Sequence, residues 1–241
     1  MAINVETCDP GAEGVREALD LYLEKYPLYR EALMLYGRIM EVQQEALKNI
    51  SCDIRVDEEE RKRELESGDP LLDPLSVEID GSLYRHVVES ICAVVGEVAP
   101  AFQVPAEFAS WEGLNDQNLN STLELVLSGD EIGTENEWQG ETPGEVTSSI
   151  LWEALAPFMR KYGSVVTAGM DHAYWQRGYC PACGAGPLIG ILREGDGLWL
   201  LECSLCHTMW NVQRATCPFC NGSKGSYRYM YLEDDRMRRA Y

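Results

Sequence analysis

Six of the nine cysteines stand in three C-x-x-C pairs, Cys180/Cys183, Cys203/Cys206 and Cys217/Cys220. A C-x-x-C turn presents two thiolates to one side of a metal ion, and a closed tetrahedral site takes four. Three pairs therefore make one complete site and half of another. Between Cys183 and Cys203 lie 19 residues, inside the range of about 15–20 that separates the two knuckles of a metal ribbon. The spacing predicts that Cys180, Cys183, Cys203 and Cys206 share one ion. Gly184 would relax the backbone after the first knuckle, and a hairpin would return the chain to close the tetrahedron. A unit of about 40 residues buries too little apolar surface to fold well alone, so zinc would supply about 10 kcal/mol of its stability. Cys217-Pro218-Phe219-Cys220 is a third knuckle. The alternation of Tyr227-Arg228-Tyr229-Met230-Tyr231-Leu232 then predicts a strand and Asp234-Asp235 a turn, the first half of a second ribbon.

Other chemistries compete for the same residues. Cys203-Ser204-Leu205-Cys206-His207 matches the C-x-x-C-H haem-attachment string, but that attachment belongs outside the cytoplasm. The opening Met1-Ala2-Ile3-Asn4-Val5-Glu6 has neither a basic nor an apolar leader region, and no apolar run approaches the roughly 18 residues of a membrane span. The expectation is a cytoplasmic protein without membrane insertion, in which paired cysteines bind metals or do redox chemistry. A thioredoxin-like dithiol needs a βαβ setting, whereas a hairpin is expected after Cys183. His207 is a conceivable replacement ligand, with an exposed position the plainer reading. Trp210 is expected beneath the knuckles and Arg214 on the surface. Cys8, Cys52 and Cys92 stand alone and read as ordinary thiols.

The elements that must position the knuckles follow from periodicity. Val15, Leu19, Tyr22, Tyr26, Tyr29, Leu33, Tyr36, Met40, Leu47 and Ile50 recur at alternating spacings of three and four, with Gln43 the polar interruption. They predict helices over 12–25 and 27–49, parted at Pro27, with the stripe as an intramolecular core rather than a dimer seam. A charge-rich stretch, Asp57–Glu66, ends at Gly68-Asp69-Pro70. Further helices are predicted over Ser82–Val98, over 117–128, and from Thr147/Ser148 to about Gln176. Residues 128–145, acidic and without periodicity, read as a mobile loop. From Gly178 the period drops to two, and Pro187–Arg193 and Leu198–Glu202 flank a turn at Glu194-Gly195-Asp196-Gly197. The fold class is α+β: an all-α domain over 1–177, a first rubredoxin-like or zinc ribbon over 178–215, and an incomplete second ribbon over 216–241.

Charge narrows the partners. The net charge is −20. Residues 1–159 hold 10 Lys/Arg against 33 Asp/Glu, whereas residues 160–241 hold 10 against 7. No Lys or Arg lies between Arg85 and Arg160. A nucleic-acid surface needs cations, so no nucleic-acid partner is expected. The acidic excess serves solubility or meets a basic partner.

With these residues in view, the chain resembles the formate dehydrogenase accessory protein family, FdhE. The resemblance rests on Gly178-Tyr179-Cys180-Pro181-x-Cys183-Gly184 and on Cys203-Ser204-Leu205-Cys206-x3-Trp210-x3-Arg214-x2-Cys217-Pro218-x-Cys220. Tyr26-Pro27-Leu28, Gln43/Gln44 and Pro70-Leu71-Leu72 agree more loosely, and the long helix ending at Trp175 also fits. It implies an α-helical domain bearing two rubredoxin-like subdomains with iron as the metal. It also implies a cytoplasmic maturation factor or chaperone without catalytic activity, whose partner is the formate dehydrogenase catalytic subunit. Cys180, Cys183, Cys203 and Cys206 would be its first metal site, and Cys217 and Cys220 half of its second. The family has a fourth C-x-x-C, and the sequence reaches Tyr241 before that pair. A truncation, a frameshift or a stop codon read as selenocysteine would each produce that end, and two Cys217/Cys220 knuckles sharing one ion would make a homodimer. The alternative function is a rubredoxin-like redox protein with an iron–thiolate centre.

Overall fold

Helix α1 (Gly11–Lys25) and helix α2 (Arg30–Asn49) are joined through a 3-10 turn at Pro27–Tyr29, so the turn takes the first residues of the helix expected from 27. The computed structural model describes residues 11–101, 119–128, 144–171, 175–193, 196–213 and 217–220. The charge-rich stretch forms helix α3 (Glu58–Ser67). Its Asp57 side chain accepts hydrogen bonds from the backbone N–H of Glu59 and Glu60, and Gly68 closes it at φ 89°, a left-handed position that suits glycine. Asp80 caps helix α4 (Gly81–Val98) in the same way, through the N–H groups of Ser82 and Leu83. Helices α5 (Leu119–Ser128) and α6 (Gly144–Val166) complete the described helices. No helix among the described residues is long and apolar enough to cross a membrane.

Three antiparallel strands follow in the order β1 (Pro187–Leu192), β2 (Trp199–Cys203), β3 (Met209–Val212). Pro187 pairs with Cys203 and Leu192 with Trp199, with a register shift between Pro187 and Ile189. On the other side Trp199 pairs with Val212 and Glu202 with Met209. The two strands expected from sequence are present; β3 is an addition.

The core is built by α4 and α6. Tyr84, Val87, Val88 and Ile91 face Leu151, Leu155, Phe158 and Met159, all essentially inaccessible. The Tyr84 ring meets Phe158 edge-on at 6.1 Å, and its hydroxyl donates to the Leu151 carbonyl at 3.1 Å. Burial pushes the Tyr84 phenol above its ordinary value. The same cluster runs on through Trp175, Cys180, Cys203, Leu205 and Trp210. Helices and sheet thus share one apolar interior among the described residues.

Two expectations are corrected. The stripe on α1 and α2 is buried only in part: Val15 and Ile50 are buried, and Leu19, Leu33 and Leu47 half-buried, but Tyr22, Tyr26, Tyr29, Tyr36 and Met40 are exposed, while Ile39, Gln43, Gln44 and Ala46 lie on the buried face of α2. Gln43, read as an interruption, is anchored: its amide donates to the Glu153 carbonyl at 2.9 Å and to Glu153 Oε2 at 2.7 Å. The last helix stops at Val166 instead of continuing towards Gln176. Gly169 turns the chain at φ 73°, and Arg61 Nη1 takes the Ala168 carbonyl at 2.6 Å. The expected loop lies largely outside the described residues, as do Cys8, Arg214, the strand at 227–232 and the turn at Asp234-Asp235.

Burial raises the Cys92 thiol from 9.0 to about 11, with the Glu89 charge adding to it. An unfolded chain would ionise this thiol above pH 9.0 while the folded one keeps it protonated. Stability is therefore expected to fall as pH rises through that window. Urea unfolding midpoints on either side of the window check this. The Cys92→Ala protein, though less stable, is expected to lose stability less steeply there.

Candidate metal centre

The first knuckle is built by local backbone bonds. Gly184 N–H donates to the Cys180 carbonyl at 2.9 Å and Cys180 N–H to the Ala185 carbonyl at 2.8 Å. Gly184 has φ 76°, as its place after the second cysteine requires. The second knuckle repeats the plan at the end of β2. Ser204 N–H donates to the Gly186 carbonyl and Cys203 N–H to the Thr208 carbonyl, both at 3.0 Å. Here His207 holds the left-handed position, at φ 54°, uncommon for a residue with a Cβ. Its Nδ1 lies 2.9 Å from Glu202 Oε1, a partner that holds the ring. Backbone N–H groups point at the sulfurs, Ala182 to Cys180 at 3.3 Å and Leu205 to Cys203 at 3.4 Å.

The sheet register brings the two knuckles face to face. Cys180 Sγ lies 3.4 Å from Cys206 Sγ, and Cys183 Sγ lies 3.6 Å from Cys203 and 3.5 Å from Cys206. All four Sγ atoms fall within 4.8 Å of one another. A disulfide would need about 2.05 Å. A tetrahedron of sulfurs about 2.3 Å from an ion has edges of about 3.8 Å, so the four-thiol group has the size and donor chemistry for one. His207 is not among the four. Cys180 and Cys203 are 0% exposed, Cys206 1% and Cys183 6%.

Burial raises the Cys180 thiol well above the ordinary value, with hydrogen bonding to its three neighbours adding to it. For Cys206 the contact with Cys180 pulls downward but is outweighed by Cys183, Cys203 and burial, so it too is raised. Cys203 is lowered, because Cys180, Cys183 and Cys206 all hydrogen-bond to its sulfur. A bound cation takes the place of the protons of its thiol ligands.

The surroundings of the four thiols are what sequence reading missed. The segment after α3 lies along the first knuckle: Leu71 N–H donates to the Pro181 carbonyl at 2.9 Å and Leu72 N–H to the Ala182 carbonyl at 2.8 Å. Trp152 Nε1 of α6 donates to the Ser204 carbonyl in the second knuckle at 3.1 Å. Tyr179 hydroxyl donates to the Gly68 carbonyl at 2.8 Å. Trp210 is fully buried, as expected, and its Nε1 donates to the Arg177 carbonyl at 2.9 Å. No local pattern announces these long-range bonds, although Pro70-Leu71-Leu72 did stand out as a motif.

Cys217 and Cys220 stand apart from the four-thiol group. Cys217 is half-buried and Cys220 exposed. Backbone N–H groups of Cys220 and Phe219 lower the Cys217 thiol, so this knuckle already has the turn that favours a thiolate. Phe219 packs against Gly178 so closely that a Cβ there would come within 2.6 Å of its ring.

Comparison with known proteins matches the same region. Residues 179–214 fit the family model described as FdhE, central domain, a span that contains the whole four-thiol group. Proteins named "Protein FdhE" from Escherichia coli (strain K12 / DH10B) and Shigella boydii serotype 18 are each 26% identical over 157 residues, covering 63% of this chain and 48% of theirs. Over these residues the chain is similar to FdhE proteins. It spans about half the length of these FdhE relatives. The crystal structure of the FdhE protein from Pseudomonas aeruginosa superposes with a TM-score of 0.60 at 23% identity, over 91% of this chain and 72% of that one. The FdhE fold therefore extends beyond the knuckles to the helices.

Proposed function

We propose that the chain is a metal-binding accessory protein in the maturation of formate dehydrogenase. In this reading it holds one ion on Cys180, Cys183, Cys203 and Cys206 and binds the enzyme's catalytic subunit in the cytoplasm. The observation that carries the reading is a buried four-thiol group inside a stretch matching the FdhE central domain. Four thiolates suit both iron and zinc. Bound there, the ion would cross-link the two knuckles and fix the ribbon against the 68–72 segment and α6. The protein acts by binding, and no residue is assigned to catalysis. Cys217 and Cys220 are read as half of a second site.

The redox alternative stands behind this one. Exchange of electrons with a partner favours a cluster edge near solvent, and here all four sulfurs are buried. An iron form that cycled reversibly and supported enzyme maturation better than a zinc form would reverse the order.

The test is retention of purified formate dehydrogenase catalytic subunit on the immobilised full chain. The metal-loaded protein is expected to retain it. Chelator-treated protein should lose it, and added zinc or iron should restore it. Equal retention with and without metal would overturn the metal-dependent part of the reading, and no retention in either state would overturn the partner.

A further inference from the structure

The second knuckle carries a contact that its own backbone does not supply. Thr208 Oγ1 lies 3.1 Å from Cys206 Sγ. A metal-bound thiolate has no proton, so the hydroxyl is then the donor. Thr208 is 6% exposed, which shields its hydroxyl from competing water. The contact forms against α6 at Gly163. A Cβ at that position would stand 3.0 Å from Thr208 Oγ1 and 3.4 Å from Cys206 Sγ, tighter than a side chain accepts without displacing one of them. Helix α6 is itself held to the knuckle through Trp152. A free-standing ribbon has no such wall.

We propose that Thr208 is a positioning residue for the metal: its hydroxyl donates to the Cys206 thiolate in a niche that Gly163 of α6 leaves open. The inference rests on the proposal that the four thiols bind an ion. A divalent ion with four thiolates carries a net negative charge in an interior without countercharge among the four-thiol ligands. A hydroxyl dipole aimed at one sulfur stabilises that charge and draws electron density from the sulfur. Outer partners of this kind change metal affinity by about 10–100-fold, and hydrogen bonds to sulfur also set the potential of an iron centre.

The experiment uses the reduced full chain and cobalt(II), whose thiolate charge-transfer absorption reports the sulfur donors, together with zinc competition against a chromophoric chelator. Thr208→Val is expected to move the charge-transfer band to lower energy and to weaken zinc retention about tenfold. Thr208→Ser should keep both properties near wild type, and Gly163→Ala should shift them in the direction of Thr208→Val. Helical circular dichroism verifies that each variant is folded, and the serine variant keeps the test usable if valine disturbs packing. A Thr208→Val protein with wild-type band and retention overturns the inference. So does equal weakening in the valine and serine variants with no band shift, which would make Thr208 a packing residue only. A wild-type chain that takes up no cobalt or zinc would instead overturn the metal-binding reading beneath it.

Discussion

Cys203→Ala is expected to abolish metal uptake at the four-thiol group and to melt the sheet around it. Cys203 is the last residue of β2, pairs with Pro187 of β1, and receives the N–H of Leu205 on its sulfur. Hydrogen bonding to Cys180, Cys183 and Cys206 also lowers its thiol. Its removal takes away one of the four ligands. Binding of a structural zinc supplies about 10 kcal/mol or more that is realised as folding energy, and that contribution goes with the ion. Metal content should fall from about one ion per chain to none. For a chain of this size each kcal/mol lost lowers the melting temperature by about 2–4 °C, so a drop of about 10 °C or more is expected. Elemental analysis and calorimetry check the two halves. Cys52→Ala, outside the group, should keep its metal. Full metal content in the Cys203→Ala protein would show that the four thiols only pack.

The ligands were legible in the sequence because a knuckle is a local object. C-x-x-C fixes its own turn, and the 19 residues between Cys183 and Cys203 are enough for a hairpin. The helices were legible for the same reason, each written in its own periodicity. What lay hidden depends on neighbours. A helical stripe such as Tyr22, Tyr26, Tyr29 and Tyr36 states which residues share a face, not whether another element covers that face. In α2 the covered face carries Gln43, whose cost of burial is offset by two hydrogen bonds to Glu153. The apolar pattern beyond Val166 continued the helix on paper, yet the chain turns at Gly169 where Arg61, distant in sequence, receives the end of the helix. Strand β3 is four residues long, too short for alternation to stand out, although Trp210 within it is buried as its type suggests. The walls of the site, residues 68–72 and Gly163, join it only through the fold.

Trp210→Ala is expected to cost about 3–5 kcal/mol and to loosen the helices as well as the sheet. Trp210 is fully buried on β3, opposite Leu201 of β2, and its indole N–H holds the Arg177 carbonyl. It belongs to the same apolar cluster as Tyr84, Phe158 and Leu155 of the helices. Removing it opens a cavity at the join between sheet and helices, where neither side alone can collapse to fill it. Trp210→Phe keeps most of the packing and loses the hydrogen bond, a change of about 1 kcal/mol. Urea unfolding of cobalt-loaded protein separates the possibilities, because helical circular dichroism reports the helices and the thiolate–cobalt absorption reports the knuckles. Both signals are expected to disappear over one range of urea, shifted down together in Trp210→Ala and only slightly in Trp210→Phe. A helical transition left in place while the cobalt signal moves would mean that the ribbon is a separate unit merely resting on the helices. In that case the hydrogen bonds from Leu71, Leu72 and Trp152 to the knuckles would add little stability, and a bound metal would organise the ribbon alone.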